Sequence, residues 1–178
     1  MAISKIQSES LNLADTYAFT GTVTGAGGVN TPAFMAYRNS TLSISHATWT
    51  VIVYDTEVFD SNSGFDTSTG IYTVPSNGKY YFQYQIRSTA DADTNSVRIF
   101  TTGEKISGGT TTNWGGATLD WRANYARAGS VGSSAILDCN ANDQIKNAIY
   151  HQTVNSGNVS VEVGSSMHTY FLGYKIIE

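Results

Sequence analysis

The sequence predicts an all-β fold, two antiparallel sheets packed as a jelly-roll sandwich, and three observations carry that expectation. Charged residues make up 13% of the 178-residue chain, about half the ~25% of ordinary globular domains. Lys and Glu, which load helix surfaces, give way to Tyr, Thr, Ser, Asn and Gly, a mix suited to pleated strands and polar turns. Alternating segments, about ten of them, recur between turn clusters, and no window sustains a 3.6-residue apolar period. The third observation is GKYYFQY at 78–84, where four rings occupy seven positions directly after an Asn-Gly pair.

The length fits one domain. A chain of this size buries roughly 70% of the surface its unfolded form exposes, enough for a core without disulfides. The single cysteine, Cys139, has no partner for a bridge and reads as a small buried apolar residue. The net charge of −4 leaves no basic surplus to displace counterions, which argues against nucleic-acid or anionic-membrane partners. No apolar run is long enough to span a bilayer. The start, MAISKIQSES, lacks the apolar stretch of a secretory signal, so synthesis in the cytoplasm is expected.

Residues 1–29 read as an extended arm and Gly-rich linker, and 30–178 as the head. Leu11, Leu13, Tyr17 and Phe19 give the arm an extended pattern, and GTVTGAGG at 21–28 breaks it. That glycine run lacks the spacing and the Lys-Ser/Thr pair of a phosphate loop. In the head, Phe34, Ala36 and Arg38 alternate with Met35 and Tyr37. Trp49, Val51 and Val53 alternate with Thr50, Ile52 and Tyr54. Further strands are expected at 71–74, 80–86, 97–101, 121–125, 133–139, 144–151, 159–163 and 169–177. Turn clusters at 60–64, 68–70, 75–78, 107–109 and 155–158 separate them.

In a strand, Tyr80, Phe82 and Tyr84 share one face, and Tyr81, Gln83 and Gln85 the other. Three rings on one face need an opposing apolar sheet. The candidates are the Trp49–Val53 strand and the row of Tyr170, Leu172, Tyr174 and Ile176. The Tyr81 face is amphipathic and suits docking by another copy of the chain.

Tyr54, Asp60, Phe65, Tyr72, Gly78, Tyr80, Phe82 and Tyr84 stand at the spacings of the aromatic signature of the complement C1q globular head, within the tumour-necrosis-factor-like superfamily. PAFMAYR (32–38) resembles that family's opening strand, residues 57–82 its central hairpins, AILDCNANDQI (135–145) its strand-turn-strand with a Leu…Asp…Val pattern, and TYFLGYKI (169–176) its closing strand. Tyr54 and Tyr72 replace the usual Phe but keep the ring. The resemblance implies two five-stranded sheets, a tight homotrimer and no catalysis, with Tyr54, Phe65, Tyr72, Tyr80, Tyr81, Phe82, Tyr84, Tyr170, Phe171 and Tyr174 as core and trimer-packing aromatics. Family members bind proteins, glycans or receptors. The Gly-X-Y stalk usual in the animal proteins is missing here. Residues 4–23, SKIQSESLNLADTYAFTGTV, resemble N-terminal segments of structural proteins of tailed phages, marine ones particularly. The implied role is a non-enzymatic virion component (head fibre, spike, capsid decoration or short tail fibre), attached to a capsid or tail protein through the arm. A stand-alone extracellular glycan- or receptor-recognition module is the alternative.

Sites for chemistry are weak. His46, His151 and His168 lie in different expected elements, without metal-ligand spacing. No G-x-S-x-G elbow is present, and the acid pairs Asp55/Glu57 and Asp91/Asp93 have spacing alone to recommend them. Asp91, Asp93 and Asn95 start like a calcium loop, but Ser96 stands where Gly is required and no Glu closes it. No cofactor is expected beyond that weak calcium candidate. The stretch 110–130 is read as a connection carrying Trp114, Trp121, Arg122, Tyr125 and Arg127, a candidate ligand-contact loop. Core or trimer-interface rings are the alternative for Trp121 and Tyr125.

Overall fold

The computed structural model describes residues 31–90, 96–121, 128–161 and 166–176. Among them run thirteen strands and no helix: β1 (Ala33–Tyr37), β2 (Leu42–Ile44), β3 (Trp49–Val51), β4 (Thr56–Asp60), β5 (Phe65–Asp66), β6 (Ile71–Thr73), β7 (Gly78–Thr89), β8 (Ser96–Ser107), β9 (Thr110–Asp120), β10 (Ala128–Cys139), β11 (Gln144–Thr153), β12 (Val159–Val161) and β13 (Tyr170–Lys175). They form two antiparallel sheets. One has seven strands ordered β2-β12-β7-β13-β1-β4, with β10 on the other edge of β7. The other has six, ordered β5-β6-β11-β8-β9, with β3 beside β11. The expected count was five per sheet. The excess arises because short strands lie end to end along one long neighbour: β12 and β13 along β7, and β3 and β6 along β11.

The GKYYFQY stretch is the middle of the fold. In β7, Tyr80, Phe82, Tyr84, Ile86 and Ser88 all point inward and are at most 1% exposed. The opposing layer is supplied by Phe65, Tyr72, Ile99, Trp114, Ile145 and Ile149 from the six-stranded sheet. Full burial of each such side chain is worth roughly 1.5–3 kcal/mol. The rings interlock: Phe34 stacks on Tyr72 at 4.2 Å between centroids and meets Phe171 edge-on at 4.9 Å. Some buried rings also satisfy their polar tips: Tyr54 Oη donates to Asn147 Oδ1 at 3.1 Å and Tyr80 Oη to the Ser76 carbonyl at 2.8 Å.

Of the two candidates for opposing Tyr80, Phe82 and Tyr84, the Trp49–Val53 strand lies in the facing six-stranded sheet and the C-terminal row does not. β13 lies beside β7 in the same sheet, with Phe171 and Gly173 as its inward residues. Gly173 is required there, because a Cβ on it would stand 2.4 Å from the Phe82 ring. The more apolar row, Tyr170, Leu172 and Tyr174, therefore faces outward. In the Trp49–Val53 strand Trp49 is 52% exposed, and Ile52, with Tyr54 beyond it, turns inward. In β13 both faces are apolar, so hydrophobicity misassigned the inner one.

β9 corrects a second expectation. The stretch read as a loop is an edge strand paired with β8 through a Gly108–Gly109 turn, whose φ values of 54° and 83° suit a two-residue hairpin. Its register slips where Gly115 and Gly116 lie between the pairs Gly103↔Trp114 and Thr101↔Ala117. Gly115, at φ 55°, supplies the left-handed residue of the resulting bulge. Tyr84 Oη anchors it by donating to the Gly115 carbonyl at 2.6 Å.

The polar residues near the chain's turns serve the fold. Asp55 accepts from the Asn39 and Ser40 amides at 2.7 and 3.0 Å and pairs with the buried Arg38 at 3.5 Å. Partial burial works against its ionised form, but the Ser40 and Asn39 hydrogen bonds and Arg38 hold the carboxyl below its ordinary range. Asp60 likewise accepts from the Phe65 amide at 2.7 Å, closing the 60–64 turn.

Candidate assembly face

The outward face of the seven-stranded sheet is assembled by strand register. Residues directly opposite one another in an antiparallel pair share a face. Ile136, Tyr81, Tyr174 and Ala33 therefore form one row across β10, β7, β13 and β1. Ser134, Gln83, Leu172, Met35 and Phe59 form the next, reaching β4, and Gly132, Gln85, Tyr170, Tyr37 and Thr56 the third. None of these residues is charged. Ile136 is 61% exposed and Phe59 50%, at opposite margins of the face.

Its middle is ordered by side-chain hydrogen bonds. Tyr81 Oη donates to Gln83 Oε1 at 3.0 Å, and Gln83 Nε2 donates to Tyr170 Oη at 3.0 Å. Gln85 Nε2 donates to the His168 carbonyl at 3.0 Å. Tyr81 and Tyr174 lie 5.2 Å apart, tilted by 34°. Gln83, Gln85, Gly132, Ser133, Ser134 and Tyr170 with Tyr84 line a shallow polar hollow of about 250 Å³ in this face. An uncharged surface with fixed rings and a small polar centre is suited to burial against protein, since no ion has to be desolvated.

The ten aromatic residues singled out from the sequence thus divide between two places. Tyr54, Phe65, Tyr72, Tyr80, Phe82, Tyr84 and Phe171 are core, while Tyr81, Tyr170 and Tyr174 are on the outward face. Burial raises the phenol pKa of Tyr54, Tyr72 and Tyr84. Sequence reading missed Met35, Phe59, Ile136 and Leu172 as members of this face. Only cross-strand register reveals them, although the alternation of Ser130, Gly132 and Ser134 leading to Ile136 marks β10 as solvent-facing on that side.

Of the proposed ligand-contact loop, Trp114 and Trp121 are among the described residues. Trp114 is 8% exposed inside β9, edge-on to Tyr84 at 5.6 Å and 6.1 Å from Phe82, so its ring is not placed to stack on a ligand. Trp121 follows β9, half-buried against Gly129. Arg122, Tyr125 and Arg127 lie outside the described residues, as do the arm residues Leu11, Leu13, Tyr17 and Phe19 and the calcium candidates Asp91, Asp93 and Asn95. Among the described residues no three His, Cys, Asp or Glu side chains are grouped to hold a metal. Cys139 is buried, and burial pushes its thiol up to about 11.

Comparison with known proteins agrees with this architecture. The family model described as the C1q domain matches residues 33–174. The globular domain of zebrafish complement 1qA is similar in structure, with a TM-score of 0.59 at 18% identity, covering 83% of this chain and 98% of that one. Murine APRIL at pH 5.0 gives a TM-score of 0.61 at 12% identity, with 81% and 98% covered. Eiger TNF from S. frugiperda gives 0.57 at 15%, with 82% and 92% covered. At these identities the likeness is one of fold. A comparison with curated proteins found no match.

Proposed function

The chain belongs to the C1q domain family, and from that premise we propose that it is a non-catalytic recognition head that works as a homotrimer on the particle of a tailed phage. One observation carries the oligomer: the three uncharged rows in the middle of the outward face of the seven-stranded sheet, with Ile136 61% and Phe59 50% exposed and Tyr81, Tyr174, Met35 and Leu172 between them. Large apolar side chains left exposed around an uncharged polar centre mark an interaction surface. Closed symmetry around it would cover the patch in every copy without leaving a free edge to polymerise. Support for the particle comes from residues 4–23, which resemble arms of tailed-phage structural proteins. In this reading the arm attaches to a capsid or tail protein, the protein is made in the host cytoplasm, and the head faces outward as a fibre, spike or decoration.

Light scattering on the purified chain tests the oligomer. The expected mass is three times the 19.1 kDa of one chain, and Ile136→Glu is expected to dissociate it by placing an unpaired charge in the contact. A monodisperse monomer at micromolar concentration would overturn the trimer. Electron microscopy of labelled particles tests the location. Deletion of residues 1–28 is expected to abolish incorporation and leave the head trimeric; incorporation of the shortened chain would refute attachment through the arm.

A further inference from the structure

The geometry points to a second surface, on the outer face of the six-stranded sheet, as a binding site for a neutral pyranose sugar. Trp49, Tyr150, Phe100 and Thr118 are directly opposite one another across β3, β11, β8 and β9, so their side chains form one cross-strand row. Gln152, Arg98 and Asp120 form the adjacent row. Trp49, Arg98, Phe100, Tyr150 and Gln152 line an open cleft of about 230 Å³. This is smaller than the roughly 300–1,000 Å³ of pockets for drug-sized ligands and has room for a single ring lying flat.

The cleft has an apolar floor and a polar rim. Trp49 is 52% exposed, the most open of the large rings described as exposed on this sheet. It is tilted by 49° to Tyr150 at 5.6 Å, and Tyr150 meets Phe100 at 66° and 5.8 Å, so the rings form a trough and not a flat plate. Arg98 lies over the Phe100 ring at 5.2 Å and is held by Asp120, with Nη2–Oδ2 at 3.1 Å and Nε–Oδ2 at 3.2 Å. A guanidinium, a carboxylate and a carboxamide thus stand along one side of the aromatic trough. A pyranose matches this arrangement: its C–H face lies on Trp49, and its equatorial hydroxyls reach Gln152 and the Arg98–Asp120 pair.

Charge selects among ligands. Arg98 is the sole charged lining residue and its charge is compensated by Asp120, so a neutral ligand fits and an anionic one gains no surplus attraction. A nucleobase also stacks on aromatic rings, but its phosphates need basic side chains, and the chain carries a net charge of −4. A purely apolar peptide anchor would leave Gln152 and Arg98 with worse partners than water, and such anchors occupy fully desolvated pockets, not open clefts. Assembly through the seven-stranded sheet leaves this opposite face of the sandwich turned to solvent.

The assignment names a ligand class for the recognition role proposed above and rests on it. The full chain is applied to a printed array of neutral glycans and then titrated with methyl glucopyranoside, galactopyranoside and mannopyranoside, following tryptophan fluorescence. Binding of a neutral glycan is expected, and Trp49→Ala and Tyr150→Ala are each expected to weaken it about ten-fold or more, the loss typical of a central aromatic anchor. Trp49 is exposed, so its variant is expected to keep the oligomeric mass and the urea midpoint of the parent. Absence of neutral-glycan binding at millimolar sugar, binding confined to acidic glycans, or binding that survives Trp49→Ala would each overturn the assignment. Light scattering on the same samples separates that outcome from failure of the trimer.

Discussion

Acidification tests the packing around His151 directly. This residue points inward from β11 and is 0% exposed. Its Nε2 lies 2.8 Å from Ser96 Oγ, while Nδ1 is buried without a partner. The charged ring would carry an N–H on both nitrogens, and the one on Nδ1 has no acceptor in the dry interior. Burial first, and the neighbouring His46 second, lower the His151 pKa from 6.5 to about 4. In the unfolded chain the ring titrates near the ordinary value. Between those two pH values the unfolded state binds a proton that the folded state does not, so stability rises with pH through the window. The contribution is intact above pH 6.5, falls as pH drops below it, and is exhausted below about 4. At 1.36 kcal/mol per pH unit the gap amounts to about 3 kcal/mol, a large part of the 5–15 kcal/mol typical of a domain. The depressed carboxyls Asp55 and Asp66 lose their contribution only below their ordinary 3.8, so they act beneath this window.

The assay is urea unfolding at fixed protein concentration, stepped from about pH 7.5 to 4, with light scattering at each step to separate dissociation from unfolding. The parent midpoint is expected to fall through the window. His151→Gln, which keeps a polar group near Ser96 but has nothing to protonate, is expected to be less stable at neutral pH and nearly flat with acidification. A parent midpoint that stays constant, or a variant that declines in parallel with it, would refute the account.

Two further outcomes follow from side chains already placed. Gly103→Ala puts a Cβ 2.1 Å from Trp114 Cε2 and 2.4 Å from Cζ2, so the ring must move. A loss of about 1–3 kcal/mol in urea unfolding is expected, with a red shift of Trp114 emission; an unchanged midpoint would show that the ring does not cross the glycine. Cys139 is 4% exposed with its thiol pushed up to about 11, so dithiobis(nitrobenzoate) is expected to label it at slightly alkaline pH only as fast as the protein opens. Rapid stoichiometric labelling of the folded protein would put the thiol at the surface.

The alternation of Tyr80, Phe82 and Tyr84 against Tyr81, Gln83 and Gln85 was legible because one row is wholly apolar and the other is mixed, and the structure buries the first. Legibility failed where both rows of a strand are oily. In β13 the row of Tyr170, Leu172 and Tyr174 outweighs Phe171 and Gly173, yet the glycine is the inward residue because Phe82 occupies its side-chain space. β9 failed for a different reason. Thr, Asn and paired Gly are the residues of turns, but here threonines form an edge strand, and the glycines provide a bulge and room beside Ser133. The cleft around Trp49 was invisible because its members come from 49, 98–100 and 150–152, and only register brings them together.

The hairpin joining β8 and β9 has a practical use. An added Cβ at Gly108 or Gly109 would meet nothing within 4 Å, so the tip is open to solvent, although the left-handed φ values favour keeping both glycines and inserting between them. A short epitope or a fluorophore-bearing cysteine spliced into that tip would stand clear of the sandwich. The head thus carries its own handle for tracing.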